Sequence, residues 1–204
     1  MMAEAAYENP LIPNARLRQI YLAMMRTRML ARALPARLRG GWTQEMAACL
    51  VSPSVGLGPE DLVSDGIAGG VVEFLRGAGL ASVMQDKKTL KKRRGRGVIA
   101  DCGAASRFPA IAGATERLWA ALGAAAALKA EAKAGVVVVY VQPREVAATT
   151  WRKLLELAAK ERWPIFFAVM PGARGGSGRP GSVCALAHAC GVLGIPVDGD
   201  DSVA

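Results

Sequence analysis

VVVVYV at Val136–Val141 is a continuous run of β-forming residues without polar alternation. Such a run is typical of a strand covered on both faces. From residue 144 to residue 162 the apolar residues take a helical spacing, and Pro164 then disfavours a helical conformation at the residue before it. The buried side of this helix is predicted to consist of Trp151, Leu154, Leu155 and Ala158. Ile165–Met170 (IFFAVM) is a second apolar run of strand length, so the stretch predicts a strand–helix–strand unit in the parallel sheet of an α/β protein.

The residues that follow the two strands are the first candidates for function, because parallel sheets bind ligands at the carboxyl ends of their strands. Gln142, Pro143 and Arg144 follow the first strand, and Pro171 and Gly172 follow the second. None of these five residues carries a carboxylate. The sequence therefore places a crevice here without the usual acidic ligands of a metal ion.

A glycine-rich stretch, GARGGSGRPG at Gly172–Gly181, continues from the second strand. Backbone N–H groups in such a loop can surround an anion, and the start of the crossover helix faces the same crevice. If this loop binds a ligand, the sequence predicts a phosphate or a carboxylate, held by Arg144, Arg174, Ser177 and Arg179. The stretch has no GxxxxGK[ST] motif, so a disordered loop without a ligand is the simpler interpretation.

The frame VVVVYV…WRKLLELAAKERWPIFFAV resembles the alpha subunit of the decarboxylating component of 2-oxoacid dehydrogenase complexes, a family that depends on thiamine diphosphate. Leu157-Ala158-Ala159 and Trp163-Pro164 match its helix end and its approach to the next strand. Further matches, in the family's order, are Gln19–Leu34, Gly58–Gly77, Ala120–Lys129 and Val197–Asp201. The resemblance implies a thiamine-diphosphate-binding-like fold, a parallel sheet between two layers of helices. It also implies assembly as a homodimer or with a beta-subunit-like partner.

The resemblance also implies that this chain lacks the cofactor-binding motifs of the family. Gln142-Pro143-Arg144 replaces the Gly-Asp-Gly of the family, and Met170-Pro171-Gly172 replaces its Glu-Asn-Asn. The family's Tyr-Arg-Asp-His cluster falls on Ile67–Gly70 (IAGG), which can neither grip phosphate nor move protons. Because the lost aspartate and asparagine hold Mg²⁺ in the family, we expect neither thiamine diphosphate nor Mg²⁺ to bind here.

Length and composition suit one domain over residues 1–204, since about 200 residues can bury roughly 70% of their unfolded surface. We expect a helical part at about 10–80, a basic loop at about 85–103 and a βαβ core at about 112–204. No stretch reaches the roughly 20 apolar residues of a membrane span, and the start lacks a signal-peptide pattern. The four cysteines have no CxxC spacing, which favours free thiols in the cytoplasm. Family members continue beyond the position of Ala204, so we expect a shortened relative or one part of a divided protein.

Several elements are predicted outside the central unit. Asn14 is the expected N-cap of the first helix, which Pro35 ends, with Leu17, Ile20, Tyr21, Met24 and Met25 on its buried side. Further helices are expected at Thr43–Leu50, Val71–Leu75, Ala114–Lys133 and Ser182–Leu193, and a last strand at Gly194–Val197.

A basic run supplies most of the formal net charge of +9. It places seven cationic side chains within ten positions: Lys87, Lys88, Lys91, Lys92, Arg93, Arg94 and Arg96. The run can neutralise phosphates or contact an acidic partner, and a solvated loop is the simpler alternative. No aromatic residue interleaves with it, so a nucleic-acid stacking platform is not favoured.

Three functions remain open from the sequence. The chain resembles a dehydrogenase alpha subunit that has lost its cofactor site, which predicts a non-catalytic or regulatory subunit. Alternatively, it is an active thiamine-diphosphate-dependent oxidoreductase whose missing groups come from a partner subunit. The third alternative is a basic binding module for nucleic acid or an acidic protein. The sequence therefore leaves open whether the chain is an enzyme.

Overall fold

The structure of the protein is a computed structural model. The structure describes residues 12–34, 47–64, 70–77, 79–80, 108, 111, 113–170 and 180–197. The predicted basic loop, together with its seven cationic residues, lies outside these ranges. Within them no helix is long and apolar enough to cross a membrane.

Six helices and three strands follow one another along the described ranges. They are α1 (Asn14–Ala33), α2 (Ala47–Val55), β1 (Leu62–Ser64), α3 (Val71–Leu75), α4 (Ala114–Ala130), β2 (Val137–Val141), α5 (Ala148–Glu161), β3 (Ile165–Val169) and α6 (Pro180–Ala189). A short 3₁₀ turn, Pro143–Glu145, lies between β2 and α5.

The three strands form one parallel sheet in the order β1-β2-β3, with Val137 opposite both Leu62 and Ile165. All five residues of β2 are buried, which confirms the strand covered on both faces. Strand β3 is less protected than expected for a buried apolar run, because Phe166 is 49% exposed. Among the described strands β3 pairs only with β2, so it lies at an edge of the sheet.

Helices pack on both faces of the sheet, and β2 separates two hydrophobic cores. Val138 and Tyr140 belong to the core that contains residues of α1, α2 and α3. Val137, Val139 and Val141 belong to the core that contains residues of α4, α5 and α6. The alternation follows from the two-residue period of a strand. The α/β prediction is thus confirmed, with helices on both faces of a small, open parallel sheet.

Helix α5 agrees with its predicted buried side, which is Trp151, Leu154, Leu155 and Ala158. It begins at Ala148 rather than near Arg144, because the 3₁₀ turn and the extended residue Val146 precede it. Its C-cap, Arg162, has a left-handed conformation with φ of 49°. Helix α4 likewise ends at Ala130 rather than at Lys133.

Helix α1 differs from its prediction in two respects. Its N-cap is Pro13, not Asn14, and no side chain caps it. Its buried residues are Ile20, Thr27, Leu30 and Ala31. Tyr21 and Met25, predicted to be buried, are 63% and 38% exposed. Thr27 is accommodated in the core because its hydroxyl donates to the carbonyl oxygen of Ala23, at 2.9 Å.

The last described segment also differs from its prediction. Helix α6 ends at Ala189, not at Leu193, and Gly191 follows with a left-handed φ of 79°. No strand forms at Gly194–Val197, which contradicts the sequence prediction. The imidazole Nε2 of His188 lies 2.9 Å from the carbonyl oxygen of Gly194, so this segment turns back onto α6 instead of joining the sheet.

Candidate functional site

The carboxyl ends of the three strands meet at one edge of the sheet, at Ser64, Val141 and Val169. The backbone N–H of Met170 donates to the carbonyl oxygen of Val141 at 2.8 Å. The exits of β2 and β3 are therefore adjacent, as the predicted crevice requires. Gln142 and Pro143 begin at this edge, and Arg144 follows with an exposed side chain.

A reciprocal hydrogen-bonding pattern fixes the turn after β2. The backbone N–H of Gln142 donates to Glu145 Oε2 at 3.0 Å. The backbone N–H of Glu145 in turn donates to the backbone carbonyl oxygen of Gln142 at 3.1 Å, which closes the turn. Pro143 is compatible with this arrangement because the first position of a helical turn needs no N–H donor.

The side chain of Arg117, in the first turn of α4, lies against the carboxyl end of β2. Its Nη2 donates to the carbonyl oxygen of Tyr140 at 3.1 Å and lies 3.6 Å from Glu145 Oε2. The guanidinium is almost fully buried, whereas the Glu145 side chain is partly exposed. We call Arg117, Glu145, Gln142 and the carbonyl group of Tyr140 the Arg117 cluster.

The Arg117 cluster does not fit a magnesium-chelated diphosphate. Mg²⁺ prefers a near-octahedral set of oxygen ligands that includes one or two carboxylates. The carboxylate available here, Glu145, already accepts the N–H of Gln142 and faces a buried cation. A metal ion beside the same oxygen would be repelled by the guanidinium. Within the described ranges, no group of three or more His, Cys, Asp or Glu side chains is placed to bind a metal ion.

The buried hydroxyl of Ser64, at the carboxyl end of β1, has no hydrogen-bond partner within the part of the chain that the structure describes. The same holds for the buried indole Nε1 of Trp151, in the first turn of α5. The indole ring packs edge-on against Phe167, with ring centroids 5.7 Å apart. Trp151 therefore stabilises the contact between α5 and β3.

The structure describes only some of the predicted site residues. Gln142, Pro143 and Arg144 follow β2, where the sequence predicts them. Gly70, at the end of the segment matched to the phosphate-gripping cluster, is the N-cap of α3 and has a left-handed φ of 84°. The remaining predicted residues lie outside the described ranges: Pro171, Gly172, Arg174, Ser177, Arg179 and Ile67–Gly69.

The sequence did not identify Arg117 as a residue of the site. A signal existed, because Arg117 shares the buried stripe of α4 with Leu118, Ala121, Ala125 and Leu128. A charged residue on such a stripe requires buried hydrogen-bond acceptors. Tyr140 and Glu145 supply them, and they lie more than 20 residues away in the chain.

No protein-family model matches this chain, and a search of curated proteins finds no significant match. The function is therefore inferred from the motifs quoted above and from the geometry at the carboxyl edge of the sheet.

Proposed function

We propose that this chain is a non-catalytic or regulatory subunit of the type of the 2-oxoacid dehydrogenase alpha subunit, which has lost the ability to bind Mg²⁺ and thiamine diphosphate. The family-like frame around β2, α5 and β3 supports this proposal, since the parallel pairing and the helix packing agree with it. The remaining role of such a subunit is assembly, as a homodimer or with a beta-subunit-like partner.

The observation that carries the proposal is the Arg117 cluster. A magnesium site at the end of β2 requires carboxylate oxygens that are free to coordinate. Here a buried guanidinium lies 3.6 Å from Glu145 and holds the Tyr140 carbonyl oxygen at 3.1 Å. Positive charge thus lies beside the carboxylate that a metal ion at this end of β2 would need.

The same charge sets the class of ligand that this edge prefers. The exposed Arg144 follows Pro143 directly, and in the sequence Arg174 and Arg179 follow the neighbouring strand. A phosphate or a carboxylate is therefore a better match than a cation. This anion preference is a property we assign to the edge whether or not the subunit also assembles with a partner.

Thermal unfolding measured in the presence of Mg²⁺, thiamine diphosphate or inorganic diphosphate, alone and combined, tests the proposal. Mg²⁺ with thiamine diphosphate should not shift the Tm beyond the shift given by inorganic diphosphate alone. A ligand present at 100 times its Kd stabilises the native state by about 2.7 kcal/mol, so specific binding would be obvious. A shift that requires Mg²⁺ and the thiamine moiety together would contradict the proposal and favour an active enzyme.

An equal shift with diphosphate and with the coenzyme, independent of Mg²⁺, would support the anion preference. The Arg144→Gln variant should then lose much of that shift, whereas Arg152→Gln, an exposed arginine on α5, should retain it. If Arg144→Gln and Arg152→Gln behave alike, the anion preference does not reside at this edge.

A further inference from the structure

The outward face of α1 exposes four large apolar side chains. Tyr21, Leu22, Met25 and Met29 are 63%, 54%, 38% and 66% exposed. Leu22, Met25 and Met29 follow one another at spacings of three and four, so they share one side of the helix. We call these three side chains the apolar seam of α1. This side lies opposite the stripe through Ile20, Thr27, Leu30 and Ala31 that packs into the core. Helix α1 therefore has two apolar faces, and only one of them is covered by described residues.

Arginines frame this outward face. Arg18 and Arg32 continue the three-and-four spacing of the seam at its two ends, and Arg26 and Arg28 flank it. All four are exposed, and α1 contains no acidic residue. None of the four forms an ion pair with another residue in the described ranges. Arg16 differs, since it donates to the carbonyl oxygen of Val55 at 2.9 Å and thus fixes α1 on α2.

The seam has the spacing of a coiled-coil contact, in which apolar positions alternate at three and four residues and charged residues flank them. A second copy of α1 is a poor occupant, because like charges would face each other across the contact. Tyrosine, methionine and arginine are also the residues enriched at protein–protein interfaces. A helix that lies in a membrane surface instead separates its basic residues onto the face opposite the apolar one. Here the arginines surround the apolar seam.

We propose that the outward face of α1, formed by Tyr21, Leu22, Met25 and Met29 and framed by Arg18, Arg26, Arg28 and Arg32, binds an acidic amphipathic helix of a partner protein. The partner's apolar residues pack on Leu22, Met25 and Met29. Its carboxylates pair with the flanking arginines in bidentate contacts.

Fluorescence anisotropy with a synthetic labelled peptide tests this proposal. The peptide has about three heptads, with leucine at the two core positions and glutamate at the flanking positions. A peptide of the same composition in scrambled order is the control for charge attraction alone. The ordered peptide should bind at least about tenfold more tightly than the scrambled one. Equal affinity for the two peptides would overturn the proposal.

Two variants locate the binding on α1. Met25→Ser/Met29→Ser removes two of the three apolar side chains of the seam, neither of which belongs to the two hydrophobic cores. Arg26→Glu/Arg28→Glu reverses the flanking charge. Each double variant should bind the ordered peptide about tenfold or more weakly, while the Tm of the protein stays unchanged. Lys153→Glu/Lys160→Glu makes the same change in net charge on the exposed side of α5 and should leave the affinity within about twofold. An equal loss in this control, or no loss in the α1 variants, would overturn the proposal.

Two further measurements separate the other occupants. Sedimentation with phosphatidylserine-containing vesicles tests a membrane surface, and size-exclusion chromatography with light scattering tests self-association. Binding to vesicles that Met25→Ser/Met29→Ser abolishes, without binding to the ordered peptide, would overturn the proposal in favour of a lipid surface. A dimer that the same variant dissociates would overturn it in favour of a second copy.

Discussion

The phenolic hydroxyl of Tyr140 donates a hydrogen bond of 3.0 Å to the carbonyl oxygen of Leu50, which joins the central strand β2 to helix α2 across 90 residues of sequence. Both residues are fully buried. The same carbonyl oxygen accepts from the hydroxyl of Ser54 at 2.7 Å, so it keeps a partner if the phenol is removed.

Tyr140→Phe should therefore lower the free energy of unfolding by about 1 kcal/mol, the usual net value of one buried hydrogen bond. Urea unfolding measures the change. Tyr21→Phe is the matched control, because Tyr21 lies on the exposed face of α1, and it should change stability by less than about 0.5 kcal/mol. Equal effects of the two substitutions would contradict the role given to the Tyr140 hydroxyl.

Asp61 ties the turn before β1 to the start of β2. Its Oδ2 accepts the backbone N–H of Gly58 at 2.6 Å, and its Oδ1 accepts that of Val136 at 2.8 Å. Asp61→Ala should cost about 2 kcal/mol of unfolding free energy, since both hydrogen bonds involve a charged acceptor. Asp61→Asn keeps one acceptor oxygen and should cost less. The neighbouring Glu60→Ala, at an exposed position, should stay within about 0.5 kcal/mol, and a larger loss there than at Asp61 would refute this assignment.

Gly135 has no room for a side chain. A Cβ atom built there would lie less than van der Waals distance from the carbonyl oxygen of Glu60, a backbone atom that cannot move without shifting β1. Gly135→Ala should therefore destabilise the fold by about 1–3 kcal/mol. Gly123→Ala should stabilise it by about 0.5–1 kcal/mol, because it lies in α4 with no heavy atom within 4 Å of its Cβ position. Thermal unfolding of the two variants should thus move the Tm in opposite directions.

Arg117 and Glu145 should be energetically coupled. Arg117→Met removes the donor to Tyr140 and should cost about 2 kcal/mol, a value reduced for the partial exposure of the Glu145 carboxylate. A double-mutant cycle with Glu145→Gln should give a coupling energy of about 0.5–1 kcal/mol. The exposed pair Arg152 and Glu156 on α5, 3.7 Å apart, should give less than about 0.5 kcal/mol. Strict additivity for the first pair would show that Glu145 does not stabilise Arg117.

Lys133 should titrate above its ordinary range. A side-chain hydrogen bond from Lys133 to Glu131, and next the charge of Glu131, raise the pKa of Lys133, while the charge of Glu60 contributes least. A raised folded-state pKa adds stability below the unfolded-state pKa, and that contribution is lost as the pH rises through the folded-state value. Glu131→Gln should lower the Lys133 pKa more than Glu60→Gln does, as measured by NMR titration of the lysine side chain. The reverse order would contradict this assignment.

The central unit could be predicted from the sequence because its signals are local. The run of β-forming residues at Val137–Val141 and the helical spacing in α5 each lie within one element, and Pro164 marks the boundary between α5 and β3. The predicted buried face of α5 is confirmed at all four positions.

The errors arose where tertiary contacts decide. The outward face of α1 carries the same kinds of apolar residue as a core face. A prediction from hydrophobicity alone therefore buried Tyr21 and Met25, which are exposed. The predicted strand at Gly194–Val197 has apolar residues at strand spacing. However, a Cβ on Gly194 would meet the backbone of Cys184, and His188 contacts the Gly194 carbonyl oxygen. In the candidate site, Gln142 and Pro143 were recognised from the strand ends. Arg117 was not recognised, because its partners are distant in sequence.

Strand β2 supplies Val138 and Tyr140 to one core and Val137, Val139 and Val141 to the other, so the loss of either helical layer would expose one face of the same strand. The amide protons of Val137–Val141 should consequently exchange with deuterium only through unfolding of the whole domain. The outer ends of α1 and α6 should open at lower cost. The two helical layers would then unfold in one cooperative transition, because both pack on strand β2.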